Sequence, residues 1–297
     1  MRKDVYYQRG AADPILSDNV VLEIVRQYAP GADTVSYIDE TGGEARTYAV
    51  DDTIILKVQR PHRLRMSTSL EREAFFLRQL EGRPGISVPR VLGYDRKGDI
   101  EYTCMTRMPG VPVYKAALSP DARRAMLFEL GKTLRGIHGI DQTPFVNSGM
   151  FPRDNGGDLV ERLRLRARGK IDRIAGASPS QKEEAISRVE LDLANITDTG
   201  QFVALHTNPA VTHTFVDEHT GRFTGVIDFG DAYIGHPIFD MWYWGVEDKQ
   251  CLLKGYTAVS PVNDEFMTIF NAVNGIDEIV DTLNNACGKD KYEYGWE

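Results

Sequence analysis

Hydrophobic and polar positions in residues 35–106 are spaced as in a meander of β-strands that one helix interrupts. Three runs rich in β-forming residues come first, at residues 35–38, 47–50 and 53–58. Glycines separate the first two runs and two aspartates separate the last two, as in antiparallel turns. Apolar residues then recur with helical spacing over residues 70–80. Two further strands are predicted around a turn at residues 97–98.

From residue 119 onward the pattern is mainly that of helices. Ser119-Pro120 and Ser178-Pro179 each place a proline in a first helical turn, behind a residue that can cap the helix. A β-rich part followed by a helix-rich part predicts an α+β fold with two lobes and a cleft between them. We therefore expect an N-terminal lobe of residues 1–108 and a C-terminal lobe of residues 109–297.

Composition and charge exclude several classes of protein. The chain has 297 residues, of which 42% are hydrophobic and 26% are charged, as in folded proteins of two-lobe size. A formal net charge of -8 argues against a nucleic-acid partner held by broad charge attraction. The sequence has neither a secretion signal nor the roughly 18 consecutive apolar residues of a membrane span, so no membrane partner is expected. Three separated cysteines without a CxxC pair predict reduced thiols and a cytoplasmic protein.

Lys57 lies in the predicted strand "IILKV" among apolar neighbours, where a buried ammonium would need an anionic partner. Glu73 on the following predicted helix could reach it, and Glu71 is the competing partner. Taken alone, Lys57 is more simply explained as a surface lysine whose apolar stem covers the strand. The order of glycine hairpin, strand lysine and helix glutamate instead matches the arrangement that holds ATP phosphates. The candidate phosphate cover consists of Gly42, Gly43 and Glu44.

The stretch "TGVIDFGDA" places Asp228 at the end of an apolar strand, before a glycine turn and a second acid, Asp231. A carboxylate there could bind Mg²⁺ together with phosphate oxygens, because Mg²⁺ prefers oxygen donors and few protein ligands. The competing explanation is a β-turn in which aspartate and glycine take their usual places. The upstream histidine loop, at kinase-like spacing, favours the metal site.

The ordered motifs resemble those of the aminoglycoside phosphotransferases and their relatives, the choline and homoserine kinases and the hygromycin and macrolide phosphotransferases. Those proteins typically show H-G-D-x-x-x-x-N, then I-D-[FW]-x-D-A and G-[DH]-P-x-x-D. The corresponding residues here are His206-Thr207-Asn208, His213, the segment 227–232, Gly235-His236-Pro237 and Asp240. Upstream, "LKV", "EREAFFLRQL" and "MTRMPGVPV" resemble the family's lysine strand, glutamate helix and hinge. The likeness spans residues 35–244 and implies a bilobal protein-kinase-like fold, with a β-rich N-lobe and a mostly helical C-lobe.

The resemblance also implies a site for ATP or GTP with Mg²⁺, or with Mn²⁺ as an alternative. Lys57 would hold the phosphates, Glu73 would orient Lys57, and Asp228 would bind the metal. The other implied positions are Met105, Arg107 and Met108 at the nucleotide base, and His206, Asp231 and Asp240 as braces of the loops. The implied partner is a small molecule that offers a hydroxyl group. By resemblance to the family, this small molecule could be an aminoglycoside or another antibiotic, and the protein could confer resistance to it.

Two positions depart from the family pattern. Asn208 replaces the aspartate that accepts the proton of the attacking hydroxyl, and an amide cannot take that proton at neutral pH. His213 replaces a metal-binding asparagine; macrolide phosphotransferases resemble this chain in having histidine there, and the alternative is that His213 only packs in the loop. Two functions stay open: a small-molecule kinase of impaired activity, and a nucleotide-binding pseudokinase that senses or scaffolds. Asn208 fits a natural loss of the acid and an engineered Asp→Asn change equally well.

Overall fold

The computed structural model describes residue 13 and residues 15–39, 44–60, 70–98, 100–155, 157–196 and 202–288. Its fold is of the predicted α+β class, with a β-rich N-terminal region and a helical C-terminal part. The strands are β1 (Val35–Asp39), β2 (Ala45–Val50), β3 (Ile54–Gln59), β4 (Val91–Lys97), β5 (Ile100–Thr106), β6 (Val111–Pro112), β7 (Val203–Ala204), β8 (Thr214–Val216), β9 (Phe223–Val226) and β10 (Ile234–Gly235). The helices are α1 (Asp18–Val25), α2 (Leu70–Leu80), α3 (Pro120–His138), α4 (Thr143–Ser148), α5 (Asp158–Asp172), α6 (Pro179–Leu193), α7 (Val246–Val259) and α8 (Asp264–Ala286). Short 3-10 helices cover Val113–Lys115 and Pro237–Asp240.

A five-stranded antiparallel sheet positions the predicted lysine. Its strand order is β1-β2-β3-β5-β4. The turn between β2 and β3 is made by Asp51 and Asp52, both with positive φ, a conformation that aspartate adopts more readily than most residues. The register places Lys57 of β3 between Thr47 of β2 and Thr103 of β5. Lys57 therefore sits on the middle strand of the sheet.

Helices α1 and α2 pack on this sheet through apolar faces. Side chains of α1 and of the strands form one core cluster, which includes Val21, Ile24, Val25, Tyr48, Leu56 and Tyr102. Helix α2 contacts β4 and β5. Its apolar residues recur every three or four positions and form a stripe toward the core, as in an amphipathic helix. Glu73 lies among these buried positions although it is charged, with 1% of its surface exposed.

The chain divides into two compact units that differ from the predicted lobes. The first unit comprises Met1–Ala122, Gly139–Pro152 and His206–Tyr233, and the second comprises Arg123–His138, Arg153–Leu205 and Ile234–Glu297. Segments beyond residue 108 thus join the first unit. One reason is aromatic packing: Phe76 of α2 lies 4.8 Å from Phe145 and 4.9 Å from Phe229 between ring centroids. These residues are far apart in sequence, so local patterns did not predict their contact.

The second unit is helical. Helices α5, α6 and α8 pack against one another. Helix α6 begins at a capping box, in which Ser178 and Gln181 bond reciprocally with each other's backbone N–H groups. Within the described ranges, no helix has both the length and the apolar surface needed to cross a membrane.

Candidate active site

Lys57 lies between two carboxylates in the first unit. Its Nζ donates hydrogen bonds to Glu73 Oε1 and Oε2, at 2.8 and 3.0 Å, and to Asp228 Oδ1 at 2.9 Å. The side chains of Lys57 and Glu73 are 14% and 1% exposed, whereas that of Asp228 is 45% exposed. Of the two glutamates that the sequence offers to Lys57, Glu73 is therefore its partner, and Lys57 makes no bond to Glu71. Asp228 is the solvent-facing member of the triad.

Mutual attraction controls the charges of this triad. Burial disfavours the charged lysine, but the carboxylates of Asp228 and Glu73 raise the pKa of Lys57 above its ordinary value. The protein around Asp228 removes part of the water from its carboxylate and so disfavours the charged form, but Lys57 and His213 outweigh this effect and hold its pKa below the ordinary 3.8. Burial raises the pKa of Glu73 in spite of its contact with Lys57. At neutral pH the site therefore presents a cationic amine next to an exposed, ionised carboxylate.

The turn that carries Asp228 is strained and is held by α2. Asp228 has φ 74°, which is uncommon for a residue with a side chain. The next residue, Phe229, is fully buried and donates its backbone N–H to Glu73 Oε1 at 3.3 Å. Glu73 therefore binds both the lysine and the backbone of the turn. Such strain persists where the surroundings fix the backbone, as is common at functional sites.

Arg72 is a site residue that the sequence analysis missed. It is 1% exposed, and its guanidinium donates to the carbonyl of Gly230 at 3.3 Å and to the carbonyl of Met150 at 3.2 Å. Burial lowers the pKa of Arg72, and the charge of Asp231 opposes that shift. An arginine within "EREAFF" looks like an exposed charge. Its position four residues before the buried Phe76 was the available sequence signal.

Two histidines hold the loop around Asn208. His206 Nδ1 accepts the backbone N–H of Asn208 at 3.2 Å, so Nε2 carries the proton and donates to the carbonyl of Ile227 at 2.9 Å. His213 Nδ1 donates to the carbonyl of Asn208 at 2.9 Å. The other nitrogen of His213 then faces Asp228 Oδ2, at 3.4 Å. The loop and the Asp228 turn are thus joined by both imidazoles.

The side-chain oxygen of Asn208 has no hydrogen-bond donor among the described residues. This atom, Oδ1, is buried. The preceding residue, Thr207, has φ 79°, a conformation that suits glycine better than a β-branched residue. Asn208 therefore offers a hydrogen-bond acceptor that cannot serve as a base.

Asp228 and His213 could together hold a divalent cation. The 3.4 Å between His213 Nε2 and Asp228 Oδ2 allows both atoms to contact one ion at about 2.1 Å. An exposed carboxylate with few protein ligands suits Mg²⁺, and the imidazole suits Mn²⁺ better. Across the described residues, no group of three or more His, Cys, Asp and Glu side chains could hold a metal ion. The pair fits a cation whose other ligands are phosphate and water.

The predicted hinge residues lie at the end of β5, an interior strand of the first-unit sheet, and directly after it. Met105 lies in β5 opposite Ile55. Arg107 follows the strand and donates its backbone N–H to the carbonyl of Thr53 at 2.7 Å. The side chains of Met105 and Met108 are buried. The contact of these residues with a nucleotide base stays a prediction.

The remaining predicted residues lie elsewhere. Glu44 precedes β2, and its carbonyl accepts the backbone N–H of Arg60 at 2.9 Å. The predicted cover residues Gly42 and Gly43 lie outside the described residues. Asp240 belongs to the second unit, where it bonds with His138 Nε2 at 2.9 Å. Its bracing of the loop stays a prediction.

A family comparison agrees with this geometry. The model of the phosphotransferase enzyme family matches residues 38–248, a segment that includes Lys57, Glu73 and Asp228. The chain belongs to this family. A search of curated proteins gives no match.

Solved structures of family members share the fold. The GDP and kanamycin complex of APH(2")-IIIa is 16% identical, with a TM-score of 0.63, and the alignment covers 91% of this chain and 93% of that chain. The streptomycin–ATP complex of APH(2")-IIa is 18% identical, with a TM-score of 0.56 and coverages of 95% and 99%. The macrolide 2'-phosphotransferase MphH from Brachybacterium faecium is 17% identical, with a TM-score of 0.58 and coverages of 91% and 95%. These likenesses confirm the predicted kinase-like fold.

Proposed function

We propose that this phosphotransferase-family chain binds a nucleoside triphosphate and passes its γ-phosphate to a hydroxyl group of a small molecule. The observation that carries the proposal is the ion-paired triad, in which a buried Glu73 holds Lys57 against an exposed Asp228. In phosphoryl transfer such a lysine neutralises phosphate oxygens and such an aspartate holds the metal. Bound Mg²⁺ or Mn²⁺ would neutralise charge on the phosphates.

Each residue would have a separate task. Lys57 would exchange Asp228 for phosphate oxygens while keeping Glu73 as its buried counterion. Asp228, with His213, would then be available to the cation. Asn208 Oδ1, buried and without a donor, would accept a hydrogen bond from the attacking hydroxyl and position it. Because the transition state is loose, positioning and charge neutralisation would support slow transfer without a base: the nucleoside diphosphate would leave, and the hydroxyl proton would pass to the transferred phosphoryl group or to water.

The acceptor we propose is an alcohol of antibiotic size. The similar solved structures carry kanamycin with GDP and streptomycin with ATP. Both ATP and GTP therefore belong in any assay of this chain.

A second candidate is a nucleotide-binding pseudokinase. It is favoured by Asn208, since general-base help contributes about 10²–10⁴ in rate where a carboxylate is present. Under this alternative the chain would bind nucleotide and metal without turnover. The bound nucleotide would change the stability of the chain or its binding to a partner.

Nucleotide binding tests both candidates together. Calorimetric titration of the chain with MgATP, MgGTP and their Mn²⁺ forms should give saturable binding. Lys57→Met should weaken it by about 10–100-fold, because charge-assisted contacts with the phosphates are lost. Lys97→Met is the matched control, since Lys97 is an exposed strand lysine paired with Glu23. If the two variants bind nucleotide equally well, or if the chain binds none, neither candidate stands.

Asn208→Asp then separates the candidates. Restoring a base should raise kcat for a responsive acceptor by about 10²–10⁴ with little change in nucleotide Kd. Aminoglycosides and macrolides would be screened with both proteins, with Asn208→Ala as the control that lacks the acceptor atom. Turnover by Asn208→Asp and slow turnover by the unaltered chain would support the kinase. Nucleotide binding without turnover by either protein would favour the pseudokinase.

A further inference from the structure

One side of helix α5 carries three cations at four-residue spacing, Arg162, Arg166 and Lys170, which places them on one face of the helix. Arg162 is paired with Asp154, with Nε 2.9 Å from Oδ1. Lys170 is paired with Asp277 at 2.6 Å. Arg166, between them, makes no ion pair and donates no hydrogen bond within the described residues.

Arg166 instead rests on two aromatic rings of the second unit. Its guanidinium carbon lies 5.0 Å from the ring centroid of Trp242 and 4.8 Å from that of Tyr243. Trp242 is buried, while Arg166 is only half-buried. The rings attract the cation without satisfying its N–H groups, so those donors remain for another partner. An arginine supported in this way is pre-organised to bind a planar or tetrahedral anion.

Asp277, the nearby carboxylate, forms no ion pair with Arg166, because both of its oxygens accept hydrogen bonds from other residues. Asp277 Oδ1 accepts from Lys170 and from Trp242 Nε1, at 2.6 and 3.2 Å, and Oδ2 is bonded by the fully buried Lys249. Lys170 also lies 5.3 Å from the Trp242 ring centroid, on the same ring that Arg166 contacts. Burial lowers the pKa of Lys170, and the charges of Lys249 and Arg166 add to that shift. The carboxylates of Asp281 and Glu278 act on Lys249, so Arg166 is the cation of this cluster that has neither a hydrogen bond nor an ion pair within the described residues.

We propose that Arg166 and Lys170, over the ring of Trp242, form a binding site for an oxyanion, the carboxylate or phosphate group of a small molecule. The guanidinium supplies a fork of parallel N–H donors, which matches both groups. Lys170 supplies a second charge beside it. The chain as a whole has a net charge of -8 and repels anions, so binding depends on direct contact with these two adjacent cations. This site belongs to the second unit and does not depend on phosphotransfer.

Inorganic phosphate and succinate are the probes, each titrated calorimetrically into the full chain in a chloride-free buffer. Arg166→Gln should weaken binding by about tenfold or more, because a charge-assisted, forked contact is lost. Arg168→Gln is the control, since Arg168 is on the same helix, half-exposed and 3.6 Å from Glu190. Lys57→Gln identifies any binding that occurs at the candidate active site. Arg166→Lys keeps the positive charge but loses the parallel N–H donors of the guanidinium. It replaces Arg166→Gln in the experiment if that variant does not fold.

The expected result is binding that falls with Arg166→Gln, falls less with Arg166→Lys, and is unchanged by Arg168→Gln and Lys57→Gln. Response to phosphate alone or to succinate alone would identify the class of anion and would support the site. Three results would overturn it: absence of binding by both probes, equal loss with Arg166→Gln and Arg168→Gln, or loss with Lys57→Gln alone. The anion titration is independent of the proposed function, so a failure to bind MgATP or MgGTP would not change its outcome.

Discussion

Helices α3 and α7 approach so closely that each needs a glycine at the contact. A Cβ added at Gly131 of α3 would lie 2.0 Å from the carbonyl oxygen of Leu252, and one added at Gly255 of α7 would lie 1.8 Å from that of Phe128. Ordinary contacts of a Cβ begin near 3.4 Å. Both obstacles are backbone atoms of the facing helix, which no rotamer change can move. We therefore predict that alanine at either position forces the two helices apart.

The magnitude follows from two opposing effects. Overpacking costs about 1–3 kcal/mol, and we expect the upper end because the obstacle is backbone. Alanine recovers up to about 1 kcal/mol of helix propensity relative to glycine. Gly131→Ala and Gly255→Ala should therefore each lower the free energy of unfolding by about 2 kcal/mol. Once one substitution has separated the helices, the second should cost less, so the double variant should lose less than the sum.

Urea denaturation measures these changes as shifts in midpoint at constant slope. The matched control is Gly169→Ala in helix α5, where an added Cβ meets nothing within 4 Å. This control should raise the free energy of unfolding by about 0.5–1 kcal/mol. The reasoning fails if all three alanine variants stabilise the protein to the same extent. It also fails if the costs at the two contact positions are additive.

Two further predictions concern buried and partly buried charges. Asp277→Asn removes the buried carboxylate that is hydrogen-bonded to the ammonium groups of Lys170 and Lys249 and should cost about 3–5 kcal/mol in urea denaturation. Glu278→Gln, an exposed change on the same helix, should cost much less. A loss below about 1 kcal/mol for Asp277→Asn would contradict the argument. Because the folded pKa of Asp228 lies below its ordinary 3.8, its stabilisation is present above pH 3.8 and is lost as the pH falls toward the folded pKa. The stability difference between the unaltered chain and Asp228→Asn should therefore stay constant from about pH 7 to pH 5 and shrink as the pH falls below about 4; an unchanged difference below about pH 4 would show that Asp228 gains nothing from Lys57.

Much of the first-unit fold was predictable because its signals are local. The aspartate turn between β2 and β3, the alternation in the strands and the helical stripe of α2 depend on residues close in sequence. The division of the chain was not predictable in this way. Contacts such as those of Phe76 with Phe145 and Phe229 join three separate segments, and no local pattern shows which aromatic residues meet.

The site shows the same distinction. Motif order indicated Lys57 and Asp228, and the apolar stripe of α2 favoured Glu73 over Glu71. Only the structure shows that Glu73 also accepts the backbone N–H of Phe229. The role of Arg72 as a buried donor to the turn after Asp228 could not be predicted from its type, because arginines are mostly exposed.

The sequence by itself determined the residue types of the chemistry, the order of its motifs and the absence of an acid at position 208. Tertiary structure alone decided which charges became partners, since Lys57 and Asp228 lie 171 positions apart. It also left Asn208 Oδ1 without a hydrogen-bond donor, and the guanidinium of Arg166 with aromatic contacts but no hydrogen bond or ion pair, among the described residues. The physical reason is that the interaction of a charged or polar group depends on burial and on a partner within a few ångströms. Neither condition is encoded at the position itself.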